Sequence, residues 1–232
     1  MPIKFPRRQN KTPIPVAGLQ QMLDRIPAGG HSEMRTALTL LGEAYAKVYD
    51  NASRFQHDAT ITPAARMVKS ARAARSVLTP AIERLHKARA SAAEGRAHIQ
   101  QQMDKLFEYS SFPDTMIAAE IRSHFAASPP EVRFAELQRA SETGDLVTLK
   151  ALGAGPAYLA GLDARMHKEL VRDRMVSLHP EASANRDAAK AFDEQAEFAT
   201  LLETTVIHGV AELIDFEQAD SFEAVAKEAV AA

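Results

Sequence analysis

The chain of 232 residues is 46% apolar and contains no cysteine and no tryptophan. This length allows one large domain or two small ones, and the missing cysteines exclude disulfides, a thiolate nucleophile and a zinc site with sulfur ligands. Abundant alanine and few clusters of β-branched residues predict an all-α fold, because alanine loses no side-chain entropy in a helix.

Charge is distributed unevenly along the chain, although the formal net charge is only −2. Residues 1–98 contain 16 basic and 7 acidic residues, whereas residues 99–232 contain 12 basic and 23 acidic residues. This asymmetry indicates either a surface that faces nucleic acid or two halves that attract each other within one fold.

Residues 1–31 are predicted to form an extended basic arm. Its five prolines lack backbone N–H donors, and Gly29-Gly30 ends the segment. The prolines are Pro2, Pro6, Pro13, Pro15 and Pro27. The stretch "VAGLQQMLDRI" can form one or two helical turns between them. A partner subunit is the simplest anchor for such an arm, because chain termini without contacts are usually disordered. The cationic residues of the arm are Lys4, Arg7, Arg8 and Lys11.

Residues 32–110 are predicted to form a long antiparallel helical hairpin. Ser32 is placed to N-cap a first helix of about 33–58, and Thr62-Pro63 starts a second helix that extends to about residue 109. Thr79-Pro80 repeats this start signal, so we expect a kink or break there. Apolar residues with alternating spacings of four and three form the seam of the first helix: Met34, Leu38, Leu41, Tyr45, Val48, Ala52 and Phe55.

Residues 111–232 are predicted to form an acidic helical bundle of shorter helices. The expected helices span about 113–127, 130–144, 145–152, 156–178, 184–215 and 220–230. The stretch "HPEASAN" is expected to separate two of them. Tyr158 and Leu159 are expected to begin a packed face of the 156–178 helix.

The stretch "KALGAGPAYLAGLDARM", residues 150–166, raises the question of a phosphate-binding loop. Tyr158 stands where a dinucleotide fingerprint has its third glycine, and Pro156 removes an amide that such a loop would aim at the anion. Helix punctuation explains the same residues. Gly153 is predicted to be a C′ cap, Gly155 a linker and Pro156 the first residue of the next helix.

No catalytic, cofactor or metal site is predicted. One E-x-x-H motif occurs at Glu83 and His86, but carboxylate-bridged di-iron bundles need this motif twice. The chain has no G-x-S-x-G nucleophile motif. Acid–histidine pairs four residues apart suit exposed helices without any metal; they are Glu94/His98, Glu120/His124, Asp163/His167 and His208/Glu212.

A basic run between residues 66 and 96 gives the clearest functional signal, with eight basic and two acidic residues. Such a surface could lie along phosphates, which require charge without strict geometry. A solvated helix flank or a contact to an acidic neighbour explains it equally well. The residues predicted to contact nucleic acid or a partner are Lys4, Arg7, Arg8, Lys11, Arg66, Lys69, Arg72 and Arg75.

Residues 141–181 resemble a segment of uncharacterised phage and prophage helical proteins. In that segment a G-D-x-x-T-L-x-A turn leads to an A-P-A-Y-L-x-G-L helix start. The resemblance implies a role in a virion or in its assembly, and it carries over no catalytic residue. The matching residues are Gly144, Asp145, Thr148, Leu149, Ala151, Pro156, Ala157, Tyr158, Leu159, Gly161 and Leu162.

Three hypotheses follow for the function. The leading one is a non-enzymatic structural or assembly protein, a phage virion component that forms homo-oligomers or binds other virion proteins through its arm and charged faces. Its charge asymmetry would favour head-to-tail packing or place the basic half towards packaged DNA. The second is a DNA- or RNA-associated helical protein that binds through residues 66–96. The third is a metal-dependent helical-bundle enzyme. With no run of 18 apolar residues and a charged, proline-rich start, no membrane span is predicted and the expected location is the virion or the host cytoplasm.

Overall fold

The computed structural model describes residues 3–9 and 11–231, and all regular structure within them is helical, which confirms the all-α class. Short 3₁₀ helices lie at Lys105–Phe107 and Ala157–Ala160, and a π-helical segment lies at His167–Arg172. The α-helices in chain order are α1 (Val16–Leu23), α2 (Ser32–Gln56), α3 (Pro63–Asp104), α4 (Phe112–Ala127), α5 (Pro130–Thr143), α6 (Leu146–Gly153), α7 (Ala164–Met166), α8 (Asp173–Ser177), α9 (Pro180–Leu213) and α10 (Phe216–Ala231).

The chain divides into two compact units. Unit 1 comprises Met1–Gly95 together with Ala191–Ala232, and unit 2 comprises Arg96–Lys190. This division differs from the boundaries expected near residues 31 and 110. The physical reason is that α3 and α9 are each continuous across a unit boundary, so the end of the chain completes the core that its beginning starts.

The core of unit 1 is built on the predicted seam of α2. Met34, Leu38, Leu41, Tyr45 and Val48 are each at most 1% exposed, as the spacing predicts. A fully buried side chain of this size stabilises the fold by about 1.5–3 kcal/mol. The seam packs against buried residues of α3 and α9, among them Leu78, Ile82, Leu85, Leu202, Val206 and Val210.

The turn between α2 and α3 supports the predicted hairpin. Thr62 Oγ1 accepts a hydrogen bond from the Ala65 amide at 3.3 Å, as expected of the N-cap of α3. Residues of both helices line one cavity. Gln56 and Pro63 line it near the turn, and Tyr49 and Ser70 line it further away, as expected of an antiparallel pair.

Two predicted features of this hairpin are wrong. Helix α2 begins at Ser32 with His31 as its N-cap, because the Gln195 side chain accepts the His31 amide at 2.9 Å and fixes the helix entry. Helix α3 continues through Pro80, so the predicted break does not occur, and the alternative of a kink stays a prediction. The buried residues Leu78 and Ile82 on either side hold the helix against the core, and this outweighs the hydrogen bond that proline removes.

The N-terminal arm packs on its own chain. The buried Tyr45 hydroxyl donates to the Ile14 carbonyl at 2.6 Å, and Leu19 of α1 is 1% exposed in the unit 1 core. Gln195 on α9 binds the end of the arm by donating to the Gly29 carbonyl. The predicted one or two helical turns within the arm are confirmed as α1.

Unit 2 begins with helices whose ends follow ordinary capping rules. Ser111 caps α4 and Asp145 caps α6 through side-chain oxygens that accept backbone amides. Gly144 ends α5 in the left-handed conformation at φ 70°. The helices enclose a small core that contains Phe125, Leu137, Leu152, Ala160, Leu162 and Val171.

The predicted helix over 156–178 is wrong in its first half. A 3₁₀ turn over Ala157–Ala160 ends at Gly161 with φ 64°, and Asp163 then caps α7. Tyr158 and Leu159 are 74% and 44% exposed, so they do not begin a packed face. The stretch predicted as a separator is instead the start of α9, because Pro180 stands at its first position, where no amide is needed.

We expect Tyr45→Phe to lower the free energy of unfolding by about 1–3 kcal/mol, since the Ile14 carbonyl loses its donor inside the protein. Chemical denaturation of both proteins measures this difference. Tyr49→Phe is the matched control, because Tyr49 is a half-buried neighbour on the same helix. An equal loss in both variants would contradict the role assigned to the Tyr45 hydroxyl.

The same pair of proteins should differ in pH dependence. Burial, and then the charge of Tyr49, raises the pKa of Tyr45 from 10.0 to about 12. When folding raises the pKa of an acid, the resulting stabilisation is fully present below the pKa of the unfolded chain. It is lost as the pH rises from that pKa towards the pKa of the folded protein. The stability advantage of the wild type over Tyr45→Phe should therefore shrink between pH 10 and pH 12, by about 1.4 kcal/mol per pH unit at most.

Candidate functional site

The predicted basic contact residues fall into three groups, all within unit 1. Arg7, Arg72 and Arg75 face carboxylates of α10. Arg8, Lys11 and Arg66 line one cavity of 430 Å³. Lys4 and Lys69 are exposed.

Two arginines of the basic run, Arg72 and Arg75, are paired with carboxylates of helix α10. Both terminal nitrogens of the Arg75 guanidinium donate to the two Asp220 oxygens at 2.8 Å, a bidentate geometry. Arg72 lies 3.2 Å from Glu223. For these two arginines the acidic neighbour considered in the sequence analysis is therefore α10 of the same chain.

A short acidic row on α10 also receives the arm. Arg7 lies 3.4 Å from Glu217, and the Phe5 ring stacks on the Phe216 ring with centroids 3.9 Å apart and planes within 4°. Lys227, and then Arg72, lower the pKa of Glu223 to about 2. Charged residues of the arm and of α3 thus both contact α10 in unit 1.

Arg66 has a structural task at the end of α2. Its guanidinium donates to the Gln56 carbonyl at 3.1 Å, an acceptor that the helix end leaves open, and to the Ile61 carbonyl of the following turn at 3.0 Å. In the same cavity the Glu212 carboxylate accepts the backbone amides of Gln9 and Lys11, both at 2.9 Å. These contacts hold the arm against α9.

The side chains of His86, His124 and His167 contact groups other than the acidic residues that precede them by three or four positions in the sequence. His86 pairs with Glu203 at 2.8 Å, and Glu203 also accepts from Arg89, so this cluster joins α3 to α9. His124 pairs with Glu136 of α5 at 3.1 Å instead of Glu120. Over residues 3–9 and 11–231, no three His, Asp or Glu side chains come together as a metal site.

The glycines of residues 150–166 serve packing and turns. Gly153 is the last residue of α6 and is not in the left-handed conformation predicted for a C′ cap. A Cβ at Gly153 would lie 2.3 Å from the Phe107 ring, so the glycine permits this close approach. Gly161 has the left-handed conformation instead, at φ 64°.

Sequence reasoning missed the exposed apolar surface of unit 2. Of eleven large apolar side chains that are exposed among the described residues, nine lie in unit 2: Phe112, Met116, Ile117, Val132, Phe134, Leu146, Val147, Tyr158 and Leu159. A signal was available, because α4 and α6 carry apolar residues on all sides, and a helix of that kind is normally covered on all sides.

Part of this surface forms a groove of 590 Å³ between α4 and α6, here called the apolar groove. Ile117, Ala118 and Ile121 line it from α4, and Leu146 and Val147 line it from α6. Its remaining lining residues are Lys105, Leu106, Tyr109, Asp114, Lys150, Met175 and His179.

The polar rim of the apolar groove carries both signs of charge. The Lys150 ammonium lies 4.8 Å from the centre of the Tyr109 ring, a cation–π distance. Asp114 accepts the Ser111 hydroxyl at 2.6 Å at the start of α4. The arrangement suits binding of an apolar surface with charged edges.

No protein-family model, curated protein or solved structure matches this chain. In the part of the chain that the structure describes, no helix combines the length and apolar content needed to cross a bilayer.

We expect Gly153→Ala to destabilise the protein by about 1–3 kcal/mol, because the added methyl group would overlap the buried Phe107 ring. On helix propensity alone, alanine would be favoured by about 1 kcal/mol, so the sign of the change identifies the cause. Thermal or chemical denaturation measures it.

Gly155→Ala is the control, since its nearest neighbour outside the adjoining residues would be 3.5 Å away. It should change the stability by less than about 0.5 kcal/mol. A stabilised Gly153→Ala protein would show that Phe107 does not require the glycine.

Proposed function

We propose that the protein is a non-enzymatic assembly protein of a phage particle that associates with further copies of itself through the apolar groove of unit 2. The observation that carries the proposal is the concentration of exposed large apolar side chains on that unit. Large exposed apolar patches mark interaction sites in proteins that otherwise bury such residues. The protein would act in the phage particle or in the host cytoplasm.

A second copy is the occupant that the groove suits best. Interfaces between identical subunits are more apolar than transient ones, and a two-fold contact uses the same patch on both sides. Lys105, Lys150 and Asp114 give the rim both signs, so a two-fold contact can set a lysine of one copy opposite the aspartate of the other. Like charges then need not face each other.

The apolar groove is a different surface from the arm and the charged helix faces that the sequence predicts for assembly. The arm residues make their contacts within unit 1, at Tyr45, Glu212 and Phe216. The apolar groove has no such covering from the described residues of its own unit: Val147 is 63% and Ile117 is 50% exposed. The resemblance to phage and prophage proteins covers residues 141–181 and so includes α6, which lines the groove.

A structural role also agrees with how the charged clusters are used. Glu203 binds His86 and Arg89 across two helices, and Arg75 binds Asp220 across two others. Each cluster joins elements of the fold. These contacts give the charged clusters a structural role within unit 1.

We expect the wild-type protein to form dimers or larger oligomers and the variant Ile117→Lys/Val147→Lys to be monomeric, because two buried ammonium groups would be costly at an apolar interface. Sedimentation velocity over a series of concentrations measures the distribution. Circular dichroism confirms that the variant keeps its helices.

The matched control is Leu201→Lys/Val225→Lys, which places two lysines at exposed apolar positions of unit 1. This control should associate like the wild type. A wild type that stays monomeric at its highest attainable concentration, or a control that dissociates as fully as the groove variant, would overturn the proposal.

A further inference from the structure

Helix α10 presents a row of carboxylates to cationic residues that belong to two other parts of unit 1. Glu217, Asp220 and Glu223 recur every three residues along α10. Their partners are Arg7 of the arm and two arginines of α3, Arg75 and Arg72 respectively. The row therefore pairs with three of the eight residues predicted to contact nucleic acid or a partner.

The attachment of α10 is firm at its start and loose beyond it. Phe216 is 7% exposed, stacks on Phe5 and lies under the Arg75 guanidinium at 5.1 Å, and Ala219 is 1% exposed. Further along, residues 224–229 are all exposed, and a cavity of 620 Å³ lies between the start of α3 and the second half of α10.

Each ion pair of the row has at least one side chain that is more than half exposed. The two side chains are 87% and 71% exposed in the Arg7–Glu217 pair, 64% and 21% in Arg72–Glu223, and 36% and 56% in Arg75–Asp220. Exposed ion pairs contribute little to stability and are weakened further by salt. The contact between the carboxylate row and the arginines is therefore one that a stronger polyanion can replace.

Displacement of the row would leave Arg7, Arg72 and Arg75 without the carboxylates that they contact in the structure. Lys69 and Lys4 are already exposed, and no aromatic side chain interrupts the basic run of α3 between residues 66 and 96. Such a surface recognises phosphates by charge and offers no platform for stacking of single-stranded bases.

Charge density decides which polyanion fits. Three residues of helix rise about 4.5 Å, so α10 offers one carboxylate per step of that length. Duplex DNA carries one negative charge about every 1.7 Å of its axis. A duplex therefore offers the same guanidinium groups more negative charge than α10 does, whereas α10 has the advantage of being tethered beside them.

We propose that the carboxylate row of α10 is a displaceable acidic cover over a DNA-binding surface, to which α3 contributes Lys69, Arg72 and Arg75 and the N-terminal arm contributes Lys4 and Arg7. The ligand is the phosphate backbone of duplex DNA, bound without sequence preference. This activity belongs to unit 1 and does not require the self-association proposed for unit 2.

The test compares full-length proteins for binding of a short fluorescein-labelled duplex of mixed sequence by fluorescence anisotropy in a NaCl series. Asp220→Asn/Glu223→Gln removes the carboxylates of the cover without adding a cation. Its affinity should rise roughly tenfold or more over the wild type, and its slope of log K against log salt should steepen by about 1.8, since two further cations reach phosphates.

Two further variants separate uncovering from a general change in charge. Glu197→Gln/Glu228→Gln removes two negative charges from exposed positions outside the row and should bind like the wild type. Adding Arg72→Gln/Arg75→Gln to the uncovered variant should return its affinity to the wild-type level or below.

Three outcomes would overturn the proposal. In the first, no variant binds the duplex even at low salt. In the second, both carboxylate variants gain affinity equally, so that net charge alone explains the binding. In the third, the uncovered variant binds labelled polyglutamate but not DNA, which would identify an acidic protein as the partner of this surface.

Discussion

The hydrogen bond from the Tyr45 hydroxyl to the Ile14 carbonyl holds together three parts of unit 1 that are far apart in sequence. Tyr45 belongs to α2, Ile14 to the arm, and Gly209 of α9 lies against the ring, where a Cβ would come within 2.9 Å. A buried phenol needs a partner, and here the only described acceptor is a carbonyl of the arm. Once the arm is fixed at this point, Phe5 can reach Phe216, and the start of α10 takes its place.

Arginine side chains provide much of the remaining polar organisation, and four of them complete helix ends. Arg66 donates to the end of α2, Arg122 to the Ala151 carbonyl of α6, Arg133 to the Phe125 carbonyl of α4 and Arg174 to the Ser141 carbonyl of α5. A guanidinium suits this use because it has several donors in a rigid plane and its charge opposes the negative end of a helix dipole. A high count of basic residues therefore reflects internal architecture as well as any external partner.

Local signals in the sequence were sufficient for most helix ends and for the seam of α2. Thr62, Ser111 and Gly144 act where capping rules place them, since a cap depends on neighbours within a few residues. Contacts between distant residues could not be read in the same way. Gly153 is required by the close approach of Phe107, and the start of α2 is fixed by Gln195 of α9. The local roles predicted for Gly153 and Ser32 are therefore wrong.

The candidate surfaces show the same limit. The basic residues of α3 were visible in the sequence, but their pairing with α10 depends on a helix more than 140 residues away. The apolar groove depends on which sides of α4 and α6 remain uncovered, and periodicity cannot reveal this when both helices are apolar all round.

The passage of α3 and α9 through both units has a consequence for the order in which the chain folds. Unit 2 is one continuous segment, so its contacts become available as soon as Lys190 has been synthesised. Unit 1 needs Val206 and Val210 of α9 to fill its core, and these arrive after unit 2 is complete. We therefore expect folding during synthesis to begin with the inserted unit, while the hydrophobic seam of α2, although made early, waits for its neighbours on α9.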